Sequence, residues 1–263
     1  KDIMVSFNAI ATHSTLIDEN EFFQHYFDPN ALFRYDSNFF QLSYSPTKEE
    51  FLLIEEMHQF FSIQNNLEHV KFYWPQDEGI RIDTLNYLNE KNYGLEKLEL
   101  YSIDSSQYPF MDSNADITIE VVEQNRLDAF KTLNYVEDLT LSKAFAEAKR
   151  PYYDRLFNES SVRLLLASYK GNPAGSCIVI KNDEGLEIDD LFTLPSYRHK
   201  GVASAVLNYV AKDALRNHSL VFLLADAEDS PREMYLKYGF QLEGFRIGAQ
   251  HIFEKGSMDG KVH

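Results

Sequence analysis

The sequence predicts an α+β fold with a sizeable packed core. Of the 263 residues, 44% are hydrophobic and 14% aromatic, ample material for a globule despite a formal charge of -16. Strand-like and helix-like periods alternate through the second half. Only Gly79 and Gly94 of the 11 glycines precede residue 150, so backbone-demanding turns gather late in the chain.

The elements follow in order. A strand over 117–122 leads into helical stretches over 126–135 and 140–157. Strands over 162–169, 174–180 and 186–194 come next, separated by Gly-Asn-Pro and Asn-Asp-Glu-Gly turns. After Gly201, Val202, Val206 and Val210 recur at helical spacing, with Leu207 and Ala211 alongside. A buried strand over 220–224, a short helix over 231–238 and two final strands over 241–246 and 249–253 complete the second half. The stretch 102–114, rich in Ser, Asp, Asn and Pro and without an apolar period, is the predicted seam. It divides the chain into domains 1–110 and 111–255, with a tail over 256–263.

Charge and cysteine content exclude several classes. Residues 1–112 hold 7 basic against 19 acidic side chains, the remainder 18 against 22. A pI near 4.9 argues against nucleic-acid binding, which needs clustered Lys and Arg, and favours basic or amine-bearing partners. Cys177 alone forms neither an internal disulfide nor a cysteine metal cluster, and mid-strand it reads as a buried structural thiol. The eight histidines show no ligand spacing, so no metal site is expected. No apolar run approaches the roughly 18 residues of a bilayer span, and 1–4 do not open a secretory signal. A soluble, cytoplasmic protein without membrane partners, monomeric or homodimeric, is the expectation.

One motif carries chemistry. Between the strand over 186–194 and the helix after it lies Pro195-Ser-Tyr-Arg198-His199-Lys200-Gly201-Val202-Ala203-Ser204. A helix start of this kind directs unpaired backbone N–H groups and the positive dipole end at one point, which suits a phosphate. Gly201 permits close approach, and Arg198 and Lys200 concentrate positive charge in an acidic protein. Alone, the pattern also reads as a basic, solvated helix start.

With the later Met234-Tyr235-Leu236-Lys237-Tyr238-Gly239-Phe240, the loop resembles the GCN5-related N-acetyltransferase (GNAT) superfamily. Its acetyl-CoA loop reads Gln/Arg-x-x-Gly-x-Gly/Ala after a strand ending near Pro. The resemblance covers residues 117–254 and implies a mixed central sheet flanked by helices. It further implies acetyl-CoA as cosubstrate and direct transfer of the acetyl group to an amine of a small molecule or peptide. One departure is visible: Glu228 and Pro231 stand where many members carry Asn and Ala.

Transfer to an amine needs a base for the ammonium proton and an acid for the leaving thiolate. Carried over from the family, Tyr235 is the candidate acid; otherwise it packs one face of its helix. Strand alternation puts Glu187, Asp189, Leu191 and Thr193 on one side and Asp190 on the other. Glu187, where the histone-acetylating branch has Glu, and Asp189 are the candidate bases; either is otherwise a solvated or salt-bridged carboxylate. By the same resemblance Leu191, Phe192 and Thr193 line the pantetheine arm, which pairs with the strand backbone as an added strand does, and Arg198 to Ser204, His199 included, meet the phosphates. A catalytically silent acyl-CoA-binding sensor or scaffold is the competing class.

A shift of 147 residues places Leu95-Glu96 on Leu242-Glu243, Tyr93 on Phe240 and Asn92 on Gly239. Asn is the residue that best tolerates the left-handed conformation glycine supplies. Leu88 then falls on Tyr235 and Phe51 on Arg198, in a helix start with Glu49 and Glu50 and no glycine. The first half reads as a second, degenerate GNAT-like domain lacking both the acid and the phosphate loop, serving packing or recognition. Its aromatic stretches around Phe22 to Phe27 and Phe72 to Trp74 read as core or as the lining of a cleft.

Overall fold

The computed structural model describes residues 4–112, 114–228 and 232–254. In chain order the elements are β1 (Thr15–Glu19), β2 (Phe23–Phe27), β3 (Phe39–Leu42), α1 (Lys48–Gln64), β4 (His69–Tyr73), α2 (Ile82–Glu90) and β5 (Gly94–Asp104). There follow β6 (Ile117–Val121), α3 (Leu127–Asp138), α4 (Lys143–Phe157), β7 (Val162–Tyr169), β8 (Asn172–Lys181) and β9 (Gly185–Thr193). The last are α5 (Val202–Leu215), β10 (Leu220–Asp226), α6 (Arg232–Lys237) and β11 (Gln241–Ile252). None of the described helices is long and apolar enough to cross a membrane.

Contacts group the chain into two compact units. One comprises Lys1–Ile10, Leu100–Ala225 and Pro231–Glu243; the other comprises Ala11–Glu99, Asp226–Ser230 and Gly244–His263. In the first, β6, β7, β8 and β9 form an antiparallel meander, and β10 adds parallel to β9 after the α5 crossover. The parallel step requires a crossover helix, which the Val202, Val206 and Val210 stripe supplies by burying against Cys177, Val179, Leu186 and Ile188. Residues of the opposite parity on β8 face α3, where Asn134 Nδ2 donates to Ser176 Oγ at 2.9 Å. Each face of the sheet is thus covered by its own helices.

The second unit orders its strands β1, β2, β3, β4 and the C-terminal part of β11. All pairs are antiparallel except β3 with β4. Phe51, Ile54 and His58 of α1 meet the sheet at i, i+3 and i+7 spacing. Phe23, Phe72 and Trp74 join that core and Tyr73 is buried as well, so the stretch from Phe72 to Trp74 is packing, whereas Phe22 is exposed and Tyr26 and Phe27 are half-buried.

One expectation needs correction. The chain over 241–252 is one continuous strand rather than two, because it keeps extended geometry through Gly248 and pairs with β4 from Gly248↔Tyr73 to Ile252↔His69. The short helix expected over 231–238 spans Arg232–Lys237; Pro231 and the expected tail lie outside the described residues.

The 147-residue shift has a structural counterpart. After α2, Asn92 takes φ 58°; after α6, Gly239 takes φ 89°. The chain-reversing hydrogen bonds repeat as well. Tyr93 N donates to Leu88 O at 3.0 Å and Phe240 N to Tyr235 O at 3.0 Å. Lys91 N donates to Tyr87 O at 3.0 Å and Tyr238 N to Met234 O at 3.1 Å. Both helices therefore end in the same left-handed cap that feeds a strand.

Candidate active site

β9 is the spine of the site. Its register on β8 runs Ile180↔Glu187, Val179↔Ile188 and Ile178↔Asp189, then resumes at Ser176↔Phe192 and Gly175↔Thr193. Two steps on β8 face three on β9, which is a β-bulge, and Asp190 adopts φ 54° within it. The expected alternation therefore fails past Asp189. Glu187 and Asp189 share a face with Phe192, while Leu191 packs on the α5 core and Thr193 follows it to that side.

The pairing of β9 with β10 runs from Leu220↔Gly185 to Leu223↔Ile188. Both strands continue, β9 to Thr193 and β10 to Asp226. Beyond Ile188, β9 has no strand paired on its β10 side among the described residues. A sheet edge left in this way presents backbone donors and acceptors to any extended partner.

The chain then reaches the loop. Pro195–Tyr197 form a 3₁₀ turn, Arg198 is extended, His199 takes φ 63° and Gly201 caps α5 at φ 88°. The first intrahelical bond is Ala205 N to Gly201 O at 3.0 Å. No side chain caps the start and no acidic residue occupies the first turn, so the N–H groups of Val202, Ala203 and Ser204 lie at an uncapped positive dipole end. Arg198, His199 and Lys200 are exposed beside it, and Lys200 Nζ lies 5.3 Å from the Tyr169 ring centroid. A cleft of about 400 Å³ opens alongside, lined by Gly201, Ser204, Asn208, Ile117 and Ile119 among others.

The start of α1 is chemically opposite. Thr47 accepts from Glu50 N while Glu50 Oε1 accepts from Thr47 N at 3.1 Å, a complete capping box. Asp83 Oδ2 accepts from Lys48 N at 3.1 Å. These donors are in use, and Glu49, Glu50 and Asp83 surround them with negative charge.

Tyr235 of α6 is 7% exposed, its ring centroid 5.9 Å from that of Tyr101 and 5.7 Å from that of Phe240. Burial, with the Cys177 thiol adding to it, pushes the phenol pKa up to about 12. Burial likewise raises Cys177, with Asp189 and Asp190 contributing. Tyr238, three residues on, shares a 2.5 Å hydrogen bond with Ser204 Oγ in the first turn of α5. Glu228 is exposed and its N–H closes a turn on Asp226 Oδ1 at 2.8 Å.

Glu187 is 4% exposed and Asp189 half-buried, both on the face that α3 and α4 cover. Tyr235 belongs to the α5 face. The two sets of candidates thus flank β9 from opposite sides of the sheet.

A polar cluster that the sequence did not reveal lies on the Glu187 side. Lys149 Nζ is 2.6 Å from Asp190 Oδ2 and 3.3 Å from Asp138 Oδ1. Tyr153 donates to Asp138 Oδ2 at 2.7 Å, and Asn134 links the group to Ser176. Burial alone would lower the Lys149 pKa, but Asp190 and then Asp138 outweigh it and the ammonium is held above its ordinary value. Burial raises Asp138, with Lys149 opposing. The available signal was spacing: Asn134 and Asp138, and Lys149 and Tyr153, are each four apart on a helix.

Residues 132–240 match the model of the Acetyltransferase (GNAT) family, and residues 5–101 match a domain of unknown function, DUF5613. The similarity to the GNAT family thus lies in the C-terminal half of the chain. Over 94 residues, 34% of this chain, the sequence is 31% identical to uncharacterized N-acetyltransferases of Mycobacterium tuberculosis and Mycobacterium bovis. The chain spans about 60% of the length of these relatives. A functionally unknown conserved protein from Staphylococcus epidermidis has the same fold, with a TM-score of 0.87, 23% identity and coverage of 95% of this chain and 98% of that one. A GCN5-related N-acetyltransferase from Kribbella flavida aligns with a TM-score of 0.56, 14% identity and coverage of 84% and 83%. A tandem GNAT protein from the clavulanic acid biosynthesis pathway aligns with a TM-score of 0.52, 9% identity and coverage of 76% and 69%. The fold is that of the GNAT superfamily, and the N-terminal region is consistent with a tandem arrangement.

Proposed function

We propose that residues 111–255 form an acetyl-CoA-dependent N-acetyltransferase acting on an amine of a small molecule or peptide. The observation that carries this reading is the uncapped, left-handed-Gly start of α5 next to the stretch of β9 from which β10 has departed. The free helix start suits the pyrophosphate, with Arg198, His199 and Lys200 at its rim. The β9 edge at Leu191 to Thr193 suits the amide-bearing pantetheine arm. The acetyl thioester would then lie at the bulge, between the Glu187 side and the Tyr235 side.

In the reaction, the amine nitrogen bonds to the thioester carbonyl carbon and the C–S bond breaks. The amine proton passes to Glu187 or Asp189, and the Tyr235 phenol protonates the departing thiolate. A phenol held near pKa 12 keeps its proton throughout the neutral range. The N-terminal domain, with its helix start closed to anions, serves packing or acceptor recognition. A reducing cytoplasm fits the single buried Cys177.

The test is thiol release from acetyl-CoA in the presence of a panel of amines and peptides. Turnover on one class of amine is expected. Acetyl-CoA binding without turnover on any acceptor would instead favour a silent acyl-CoA sensor, a reading that the deep burial of both Glu187 and Tyr235 also accommodates.

A further inference from the structure

The bulge in β9 poses a problem of conformational control. Asp190 sits at φ 54°, a left-handed region that is unfavourable for a residue with a Cβ. Its backbone sets where the strand points from Leu191 to Thr193, the stretch without β10 beside it. A lone bulge with one exposed edge would be free to relax toward regular pairing. Something must hold it.

We propose that Lys149 is a positioning residue: its ammonium, seated between Asp138 and Asp190, clamps the left-handed bulge and so fixes the β9 edge that receives the acyl-CoA arm. The functional half of this statement rests on the acetyl-CoA reading; the clamp itself does not. Three features of the geometry support it. Lys149 Nζ reaches the bulge residue itself, 2.6 Å from Asp190 Oδ2. The lysine side chain is 10% exposed and Asp138 is 7% exposed, so the anchoring pair is shielded from solvent while Asp190, at 39%, is the movable partner. Asp138 is fixed in turn by Tyr153 at 2.7 Å, and α3 is tied to the strand next to β9 through Asn134 and Ser176. The ion pair therefore runs from a rigid helical base to the one strained residue of the strand. A charge-assisted bond whose ammonium is withdrawn from water, though its Asp190 carboxylate is partly exposed, favours the left-handed conformation that places that carboxylate in reach.

The clamp predicts a specific coupling. If Lys149 acts by holding Asp190 left-handed, then glycine at position 190, which adopts that conformation without a clamp, should make Lys149 dispensable. Hydrogen exchange followed by mass spectrometry on peptides covering β9 reads the bulge directly in the full chain. Lys149→Met is combined with Asp138→Asn so that no uncompensated carboxylate stays buried. Exchange at residues 190–193 should accelerate about tenfold in this double variant. In an Asp190→Gly background the same two changes should add no further acceleration. Lys149→Gln, which keeps a polar head beside Asp138 but loses the charge, gives a second route should the double variant fold poorly; it too should speed exchange in β9. Unchanged exchange in Lys149→Gln, or equal acceleration with and without Asp190→Gly, would overturn the clamp.

Calorimetry with acetyl-CoA on the same proteins reads the consequence. The double variant should bind about tenfold more weakly than wild type, with the penalty absent in the Asp190→Gly background. Wild type that binds no acetyl-CoA would remove the cofactor reading, while the exchange data would still decide whether Lys149 holds the bulge.

Discussion

The hydroxyls of Ser204 and Tyr238 meet at 2.5 Å, joining the first turn of α5 to the residue that follows α6. The contact couples the helix start assigned to phosphate with the segment that presents Tyr235. Tyr238 is 7% exposed, so its hydroxyl has little water to turn to. Tyr238→Phe should lower stability by about 1 kcal/mol, read as an earlier urea midpoint with unchanged slope. An unaltered midpoint would show that the contact contributes nothing.

Tyr235→Phe separates acid catalysis from packing. The ring contacts with Tyr101 and Phe240 survive the change, so acetyl-CoA affinity should be retained while kcat falls about a hundredfold. Because the phenol titrates near 12, its proton is present below that value, and no fall in rate from its loss should appear between pH 7 and 10. Full activity in the variant would leave Tyr235 with a packing role alone.

Gly201→Ala probes the left-handed cap. An added Cβ would meet only Ile117 Cδ1, at 3.8 Å, so any effect is conformational rather than steric. At φ 88° alanine should cost about 1–2 kcal/mol of stability. Acetyl-CoA affinity should fall with it, because the loop can escape by turning its amides away. Thermal unfolding with and without ligand measures both.

Acid should weaken the N-terminal unit through three buried histidines. Burial lowers His25 and His69 to about 4 and His58 to about 3, from 6.5. Ser62 Oγ donates to His69 O, so it accepts from His58 Nδ1, and His58 Nε2 accepts from the Lys71 N–H at 3.1 Å. A second proton on His58 would face that N–H. Above pH 6.5 all three are neutral in both states and cost nothing. As pH falls below 6.5 the unfolded chain takes up protons first, so stability drops progressively down to the folded values, by at most about 2 kcal/mol per histidine at pH 5. Denaturant midpoints at pH 7 and pH 5 test this; equal midpoints would contradict it.

Much of the second half was legible because its elements follow period and punctuation. The stripe after Gly201 is α5, and the expected turns fall between β7, β8 and β9, although the first is only Lys170-Gly171, with Asn172 and Pro173 already paired in β8. What escaped was conformation that leaves no mark on composition. The bulge at Asp190 reverses which side chains share a face, yet no glycine announces it, since aspartate tolerates the left-handed region. The joining of the last two predicted strands into β11 escaped because Gly248 reads equally as a break or as a place for close packing. The Lys149 cluster draws on residues 138, 149, 153 and 190, which only the fold brings together. Asn92 shows the converse, where a single residue's backbone tolerance, read against Gly239, located a repeated cap.

The central claim is that the start of α5 and the β9 edge hold acetyl-CoA. Isothermal titration of the intact protein with acetyl-CoA tests it most directly. One site per chain is expected, with Kd on the order of 10 μM at low salt, weakened about tenfold or more by Arg198→Ala combined with Lys200→Ala. Absence of heat, together with no rise in unfolding temperature at millimolar acetyl-CoA, would contradict the assignment.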